Sequence, residues 1–325
     1  MRVTDSNISL RFIDNNGLRM RIADHGEGPI VLLLHGWPES WYSWRHQIVA
    51  LANAGYRVIA PDMPGYGKTD SLRSAEDYNI INIASYVVGI LDEVGAETAI
   101  LMGHDWGAAI AWSTVQLHPD RFTKLINLSV PFRPSPDKSP MEIYKERFGE
   151  RFFYQLYFQE VGKAEAEFDR DPKGILYRLY SSPDTFRFSP QVTDKNASAG
   201  GWIPRLGEPK ELPPWFSQED LDFYVNEFTE AGFVGGINYY RNIDRNWELM
   251  KSCADNIIDI PVLFMAGDKD NVIGTATRIK LLDAMKPFIP NMDDVVLLPN
   301  IGHWIQQETP DVVNQRVIEF LGKHS

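Results

Sequence analysis

The segment GHDWG, residues 103–107, places an acidic residue between two glycines at the end of an apolar run. A Gly-x-x-x-Gly pattern favours a tight turn from a strand into a helix, and such a turn pushes the middle side chain out at the carboxyl edge of a sheet. That side chain is Asp105, which is ionised at neutral pH and can attack a saturated carbon without first losing a proton. The simpler interpretation is that Asp105 only caps the helix that follows.

Two further segments place partners for such a nucleophile after later strand-like runs. Asp270 ends the run PVLFMAGDKD, and His303 follows the last such run, in NIGHW. We expect His303 to be the base that activates water and Asp270 to orient its ring, in the chain order nucleophile, acid, base. Asp268 is the alternative for the acid, because strand ends are easily misplaced by one or two residues when only the sequence is used.

An oxyanion hole is predicted beside the nucleophile. The segment HGWPES, residues 35–40, follows an early apolar run. When water attacks an ester formed on Asp105, negative charge develops on the carboxyl oxygen of that residue. We expect the backbone N–H groups of Trp37, and of Trp106 directly after the nucleophile, to stabilise that charge.

The order of the elements predicts one sheet with a helical insertion. Short continuous apolar runs alternate with helix-spaced patterns, which is typical of a parallel sheet covered on both faces, and two alternating runs joined by an Asn-Gly pair indicate a hairpin before it. A cluster of prolines between residues 131 and 140 marks a change to helical, aromatic-rich sequence. We therefore predict an α/β core domain of residues 1–134 and 253–325 and a helical cap domain of residues 135–252.

Several segments resemble motifs of the α/β-hydrolase superfamily and, within it, of the soluble epoxide hydrolases; among them are HGWPESWYSWRHQ, MGHDWGAAIAW, YQLYFQE, YYRNIDRNW and GHW. The resemblance extends over nearly the whole chain. It implies an α/β-hydrolase fold with an inserted cap, and conversion of epoxides to vicinal diols through an ester on the aspartate. It also implies that two cap tyrosines hang over the nucleophile, namely Tyr154 in YQLYF and Tyr240 in YYRN, with Tyr157 and Tyr239 as the nearest alternatives.

The two phenols separate the possible activities. An epoxide oxygen leaves as an alkoxide and needs a proton donor, whereas a halide leaves unaided, so a haloalkane dehalogenase with the same Asp-His-Asp triad is the alternative. A non-catalytic ligand binder on the same fold is a further alternative. A serine esterase is excluded because no serine stands at the turn. We expect Phe132 and Trp304 to complete an apolar pocket for a hydrophobic epoxide.

The overall composition limits which binding partners and which cellular compartment can be expected. A net charge of −12 disfavours nucleic acid and anionic membranes. Cys253 is the single cysteine, which rules out an internal disulfide and fits a reducing compartment. The first residues lack the apolar run of a signal peptide, and runs such as Ile30–Leu34 are far too short to span a bilayer. We expect a cytoplasmic protein without cofactor or metal, acting on a small epoxide and water, with its oligomeric state open and a homodimer as one candidate.

Overall fold

The apolar runs of the sequence pair into one eight-stranded sheet in the computed structural model, which describes residues 8–324. The strands are β1 (Ser9–Asn15), β2 (Leu18–His25), β3 (Ile30–Leu34), β4 (Arg57–Pro61), β5 (Ala99–His104), β6 (Phe122–Leu128), β7 (Val262–Gly267) and β8 (Met292–Leu298). Their order across the sheet is β1-β2-β4-β3-β5-β6-β7-β8. The pairs β1–β2 and β2–β4 are antiparallel and the others are parallel, so the predicted α/β-hydrolase architecture, with its mostly parallel sheet, is confirmed.

Helices cover both faces of this sheet. They are α1 (Arg45–Asn53), α2 (Ile80–Glu93), α3 (Trp106–Leu117), α4 (Pro140–Phe148), α5 (Tyr154–Tyr157), α6 (Lys163–Phe168), α7 (Pro172–Leu179), α8 (Gln218–Ala231), α9 (Val234–Arg241), α10 (Ile243–Leu249), α11 (Arg278–Met285), α12 (Ile305–Glu308) and α13 (Pro310–Lys323). Val31 and Leu33 of β3 belong to the cluster that also holds α1 and α13, whereas Leu32 and Leu34 belong to the cluster with α2 and α3. Successive side chains of a strand point to opposite faces, so a continuous apolar run is what a doubly covered strand requires.

Local signals set the ends of these elements. Asn16 and Gly17 both have positive φ, of 56° and 80°, and they connect β1 to β2 as the predicted hairpin. Helix α2 begins after Asn79, whose side-chain oxygen accepts hydrogen bonds from the N–H groups of Ile81 and Asn82 at 3.1 Å.

The helical insertion is the segment between β6 and β7, and it contains α4 to α10. The helix-like stretch near its start is divided, because Gly149 follows α4 with a φ of 55° and α5 is a single turn. The stretch 180–217 is irregular: it contains two 3₁₀ turns and takes part in two isolated bridges.

Buried polar contacts fasten the insertion to the sheet. Arg21 of β2 contacts Asp62 and, across the boundary, Glu227 of α8. The hydroxyl of Tyr180 donates a hydrogen bond to the carbonyl of Pro38 at 2.7 Å. Among the described residues, none of the helices has the length and apolar content needed to cross a membrane.

Candidate active site

Asp105 stands at the turn from β5 into α3. Its backbone has φ 52° and ψ −120°, a conformation that costs energy for a residue with a side chain and is common at functional sites. The turn is tight: a Cβ atom on Gly103 would overlap the carbonyl of Gly107, and one on Gly107 would overlap the carbonyl of Leu34. The glycines of GHDWG are therefore required by the close approach of strand and helix, which holds the nucleophile candidate at the carboxyl edge of the sheet.

The carboxylate of Asp105 does not cap the helix. Although Asp105 occupies the N-cap position of α3, its side chain accepts no hydrogen bond from the first turn. Instead Oδ1 accepts a hydrogen bond of 2.8 Å from the backbone N–H of Trp37. Trp106 is the first residue of α3, where N–H groups have no acceptor within the helix. The contact with Trp37 and the missing cap hydrogen bond agree with a role in chemistry rather than with a helix cap. The role of the Trp106 N–H as the second oxyanion donor stays a prediction.

His303 lies between two carboxylates. Its Nδ1 is 2.8 Å from Oδ2 of Asp270, and its Nε2 is 3.4 Å from Oδ2 of Asp105. Asp270 follows β7 and His303 follows β8, so parallel strands bring them to the same edge of the sheet. Asp268, the alternative for the acid, accepts a hydrogen bond from the backbone of Asn300.

The electrostatics of this trio favour an ionised nucleophile. Burial disfavours the charged form of His303, but attraction to Asp270 and hydrogen bonds to both carboxylates outweigh it and raise its pKa well above the usual value. Burial likewise pushes the pKa of Asp105 and Asp270 upward, but contacts with His303 outweigh it and leave both pKa values below the usual range. The resting site therefore holds an imidazolium between two carboxylates.

The backbone that carries His303 is held by groups that sequence reasoning did not single out for this role. Its carbonyl accepts a hydrogen bond from the Ser129 hydroxyl at 2.9 Å and lies 2.8 Å from Nε2 of His104. The carboxylate of Glu308 accepts hydrogen bonds from the backbone N–H groups on both sides of His303. The available signal was weak, because His104 is marked only by its place beside the nucleophile in the sequence; in the structure it is fully buried.

Glu39 is a second group that the sequence did not indicate. It is fully buried, accepts a hydrogen bond from the N–H of Gly36 at 2.9 Å and lies 2.8 Å from Nδ1 of His104. Its other oxygen accepts hydrogen bonds from the side chains of Gln306 and Gln307. Glu39 thus links the loop of the oxyanion donor to the residue before the nucleophile.

The insertion places Tyr154 and Tyr240 together opposite Asp105. Their ring centroids are 5.8 Å apart in an edge-to-face arrangement, and all three residues line one cavity. Burial, followed by the negative charge of Asp105, raises the pKa of Tyr240 well above its usual value. Burial is also the main reason that the pKa of Tyr154 is raised. Both phenols are therefore neutral at physiological pH and can donate a proton.

The neighbouring tyrosines are occupied elsewhere. The hydroxyl of Tyr157 donates to the carboxylate of Glu167 at 2.8 Å, and that of Tyr239 donates to the carbonyl of Pro64 at 3.0 Å. Neither lines the cavity.

The cavity has a volume of about 590 Å³ and a wall rich in aromatic side chains. Trp304 lines this cavity, whereas Phe132, which was predicted to do so, does not. The Phe132 ring packs against Trp112 and Phe288 behind the site, because that position after β6 faces the helix layer. The lining residues are Trp37, Pro38, Asp105, Tyr154, Arg178, Leu179, Ser181, Ser182, Pro183, Arg187, Trp202, Leu206, Tyr240, Lys269, Asp270, Asn271, Val272, Gly302, His303 and Trp304.

Between residues 8 and 324, no group of three or more His, Cys, Asp and Glu side chains is arranged to hold a metal ion.

Comparison with known proteins agrees with this geometry. Residues 29–310 match the family model of the alpha/beta hydrolase fold. The chain is similar to Epoxide hydrolase A of Mycobacterium tuberculosis, with 45% identity over 96% of both chains, and to Epoxide hydrolase 3 of Siraitia grosvenorii, with 39% identity over 96% of this chain and 97% of the relative. Among solved structures it resembles Epoxide Hydrolase A from Mycobacterium thermoresistibile, with a TM-score of 0.87, 42% identity and coverage of 97% of this chain and 98% of that one.

A fold of this architecture, with an acid at the turn after β5 and a histidine after β8, defines an α/β hydrolase. At the identities given above, the chain belongs to the epoxide hydrolases of that superfamily. The family predicted from the motifs is confirmed, and the alternative of a haloalkane dehalogenase finds no support in these relatives.

Proposed function

We propose that this protein converts epoxides into vicinal diols through a covalent ester on Asp105. In the first step, Oδ2 of Asp105 forms a bond to one epoxide carbon. The bond from that carbon to the epoxide oxygen breaks, its electron pair stays on the oxygen, and a proton from Tyr154 or Tyr240 neutralises it. Oδ2 is the attacking atom because Oδ1 already accepts the hydrogen bond from Trp37.

In the second step, water attacks the carboxyl carbon of the ester. His303 takes a proton from that water while Asp270, 2.8 Å from Nδ1, orients the ring and stabilises its charge. Negative charge develops on Oδ1, which accepts the N–H of Trp37, and the N–H of Trp106 is the second proposed donor. One such donor typically contributes about 3 kcal/mol of transition-state stabilisation. When the intermediate collapses, the departing alkoxide takes that proton from His303 and leaves as the diol, and the Asp105 carboxyl group gives its remaining proton to the imidazole, which restores the carboxylate.

The charge on His303 changes between the two steps. In the free enzyme two carboxylates raise its pKa, so it is protonated. Once Asp105 is an ester, that residue is neutral and only the carboxylate of Asp270 still favours the imidazolium. The pKa of His303 therefore falls after alkylation, and the imidazolium releases its proton while the tyrosinate left by ring opening takes one up. The neutral imidazole is then a base when water must be activated.

The single observation that carries this proposal is the pair of buried, neutral phenols facing Asp105 across the cavity. A halide leaving group needs no proton, so two converging phenols have a purpose only for an oxygen leaving group. The indole rings of Trp37, Trp202 and Trp304 in the cavity wall favour a hydrophobic epoxide. We also infer that residues 135–252 act as a cap domain over a core of residues 1–134 and 253–325, since the insertion supplies both phenols.

A side-by-side assay tests the function. Purified enzyme is given styrene oxide and, separately, a bromoalkane of similar size, and diol and bromide are measured. We expect diol at a rate at least about a hundredfold above bromide release, on the general contribution of acid catalysis. Bromide release at an equal or greater rate would overturn the proposal.

The route is tested with heavy-oxygen water under single-turnover conditions, with enzyme in excess of styrene oxide. We expect the label in the Asp105 carboxylate and unlabelled oxygen in the diol, because water attacks the carboxyl carbon. A diol that carries the label after one turnover would exclude the ester intermediate.

A further inference from the structure

Trp202 is a cavity-lining residue of the irregular stretch 180–217 for which the proposed mechanism has no role. Its indole stacks on the ring of Tyr154, with centroids 4.8 Å apart and planes at 15°. On its other side it stacks on the indole of Trp37, at 5.7 Å and 11°. One side chain thus spans the gap between a phenol of the insertion and the loop that donates the oxyanion hydrogen bond.

The position of Trp202 is itself set by a buried carboxylate. Both oxygens of Glu167 are used: one accepts the N–H of Ile203 and the other accepts the N–H of Trp202, each at 2.9 Å. The second oxygen also accepts the hydroxyl proton of Tyr157. Glu167 is 9% exposed, so these hydrogen bonds are shielded from competing water. A backbone segment without helix or strand is therefore held at the residue that carries the indole.

Tyr154 depends on this support more than Tyr240 does. It begins α5, a single helical turn without a side-chain cap. Among the described residues, its hydroxyl has one hydrogen-bond partner, the amide Nε2 of the adjacent Gln155. Tyr240 instead lies in α9 with its ring against core residues, at 5.0 Å from Trp106 and 5.9 Å from Trp37. The orientation of the Tyr154 phenol therefore depends on its ring contacts, and above all on the parallel stack with Trp202.

We propose that Trp202 is a positioning residue for Tyr154, and that Glu167 holds Trp202 in place for this task. The inference rests on the proposed role of Tyr154 as a proton donor in epoxide opening. A displaced phenol misses the departing oxygen, and an error of about 1 Å in a catalytic group can cost about a hundredfold in rate. Hydrolysis of the ester needs no phenol, so Trp202 acts on the first step alone.

The test is a double-mutant cycle that reads each step separately. Rapid-quench mass spectrometry with enzyme in excess follows the rise of the ester, which is opening, and its decay, which is hydrolysis. We expect Trp202→Ala to slow opening by about tenfold to a hundredfold and to change hydrolysis by less than about threefold. In the background of Tyr154→Phe, Trp202→Ala should change opening by less than about threefold, whereas with Tyr240→Phe the two effects should multiply.

The same cycle gives the results that overturn the inference. If Trp202→Ala slows opening by an equal factor with and without the Tyr154 hydroxyl, Trp202 is only a wall of the cavity. Equal slowing of opening and hydrolysis by Trp202→Ala would also overturn the inference. If Tyr154→Phe alone leaves opening unchanged, the proposed role of Tyr154 fails, and this inference fails with it; the first two results leave that role intact.

Three further variants distinguish a loss of Tyr154 positioning from a general folding defect. Trp202→Phe keeps a ring on Tyr154 and should restore opening to within about fivefold of the wild type, whereas loss equal to that of Trp202→Ala would count against the inference. Glu167→Gln removes one acceptor oxygen, and we expect opening about three to ten times slower, an effect absent in the Tyr154→Phe background. Trp215→Ala is the matched control: this indole lies on the same stretch, donates to the Ser182 hydroxyl and does not line the cavity, so opening should change by less than about threefold.

Discussion

The two sides of the cavity are built in different ways. On the core side, Asp105, Asp270 and His303 each follow a strand, and they are joined by hydrogen bonds and charge. On the side of the insertion, Tyr154 and Tyr240 are held chiefly by contacts between rings, with few hydrogen bonds to their hydroxyls.

This difference has a physical consequence. Hydrogen bonds between charged groups depend steeply on distance and direction, so removing one member of the core trio stops the complete catalytic cycle. Each contact between rings contributes little energy and each ring has several such contacts. The loss of one contact therefore displaces a neighbouring ring only slightly. The core side should therefore respond to substitution in an all-or-none manner, and the side of the insertion in graded steps.

The largest effect is expected on the core side. Asp105→Ala removes the only group that can form the ester, and we expect diol formation to fall by about 10⁴-fold or more. The rate of styrene oxide hydrolysis checks this. The variant should retain the wild-type melting temperature within a few degrees, and activity above about 1% of the wild type would contradict the assignment of the nucleophile.

His303→Gln separates the two steps. Opening does not require a base, so the variant should alkylate itself once, and hydrolysis should slow by about 10²–10⁴-fold. The intact mass of the protein is expected to rise by the mass of one substrate molecule. Asp105→Ala in the same assay serves as the control that should show no adduct. Normal turnover by His303→Gln would mean that another group activates the water.

The graded side is tested by removing the phenol hydroxyls. We expect Tyr154→Phe or Tyr240→Phe alone to slow opening by about tenfold to a hundredfold, and both together by about 10²–10⁴-fold. Single-turnover rates of ester formation measure this. Tyr177→Phe, in α7 of the insertion and not among the residues that line the cavity, is the matched control. Complete loss of ester formation in either single variant would contradict the contrast between the two sides of the cavity.

The pH dependence sharpens the same comparison. As the pH falls through the lowered pKa of His303 in the ester, the imidazole is protonated and hydrolysis slows by about tenfold per pH unit. Opening continues, because the pKa of Asp105 is below its usual range. We therefore expect the ester to accumulate in mildly acidic buffer, as measured by quenched-flow mass spectrometry. Opening itself should stay level up to about pH 10, since the phenol pKa values are raised; a parallel decline of both steps in acid would contradict this account.

The smallest effect on catalysis is expected from the contact between the two sides. Glu227→Gln weakens a buried ion pair with Arg21, which keeps Asp62 as a partner. The free energy of unfolding should fall by about 1–3 kcal/mol, while diol formation changes by less than about threefold. Chemical denaturation and the styrene oxide assay measure the two quantities. Glu230→Gln, at an exposed pair with Lys68, is the control that should leave stability unchanged.

Sequence patterns predicted the core side well. Continuous apolar runs mark doubly covered strands, and polar residues directly after such runs lie at the carboxyl edge, so Asp105, Asp270 and His303 could be placed together before any coordinates. Tyr154 and Tyr240 could be selected only from the family resemblance, because a helical pattern does not indicate which tyrosine faces a cavity. The cytoplasmic location, the homodimer and the individual residue roles stay predictions.

The sequence by itself determined the order of strands and helices, the family and the residues that can do the chemistry, because these follow from periodicity and from short local motifs. Only the tertiary structure decided that Phe132 turns away from the cavity, that Ser129 and His104 meet at the carbonyl of His303, and that Trp202 stacks between two rings. Those contacts join residues far apart in the chain, and their geometry depends on strand register and on how an irregular segment packs, which no local pattern encodes.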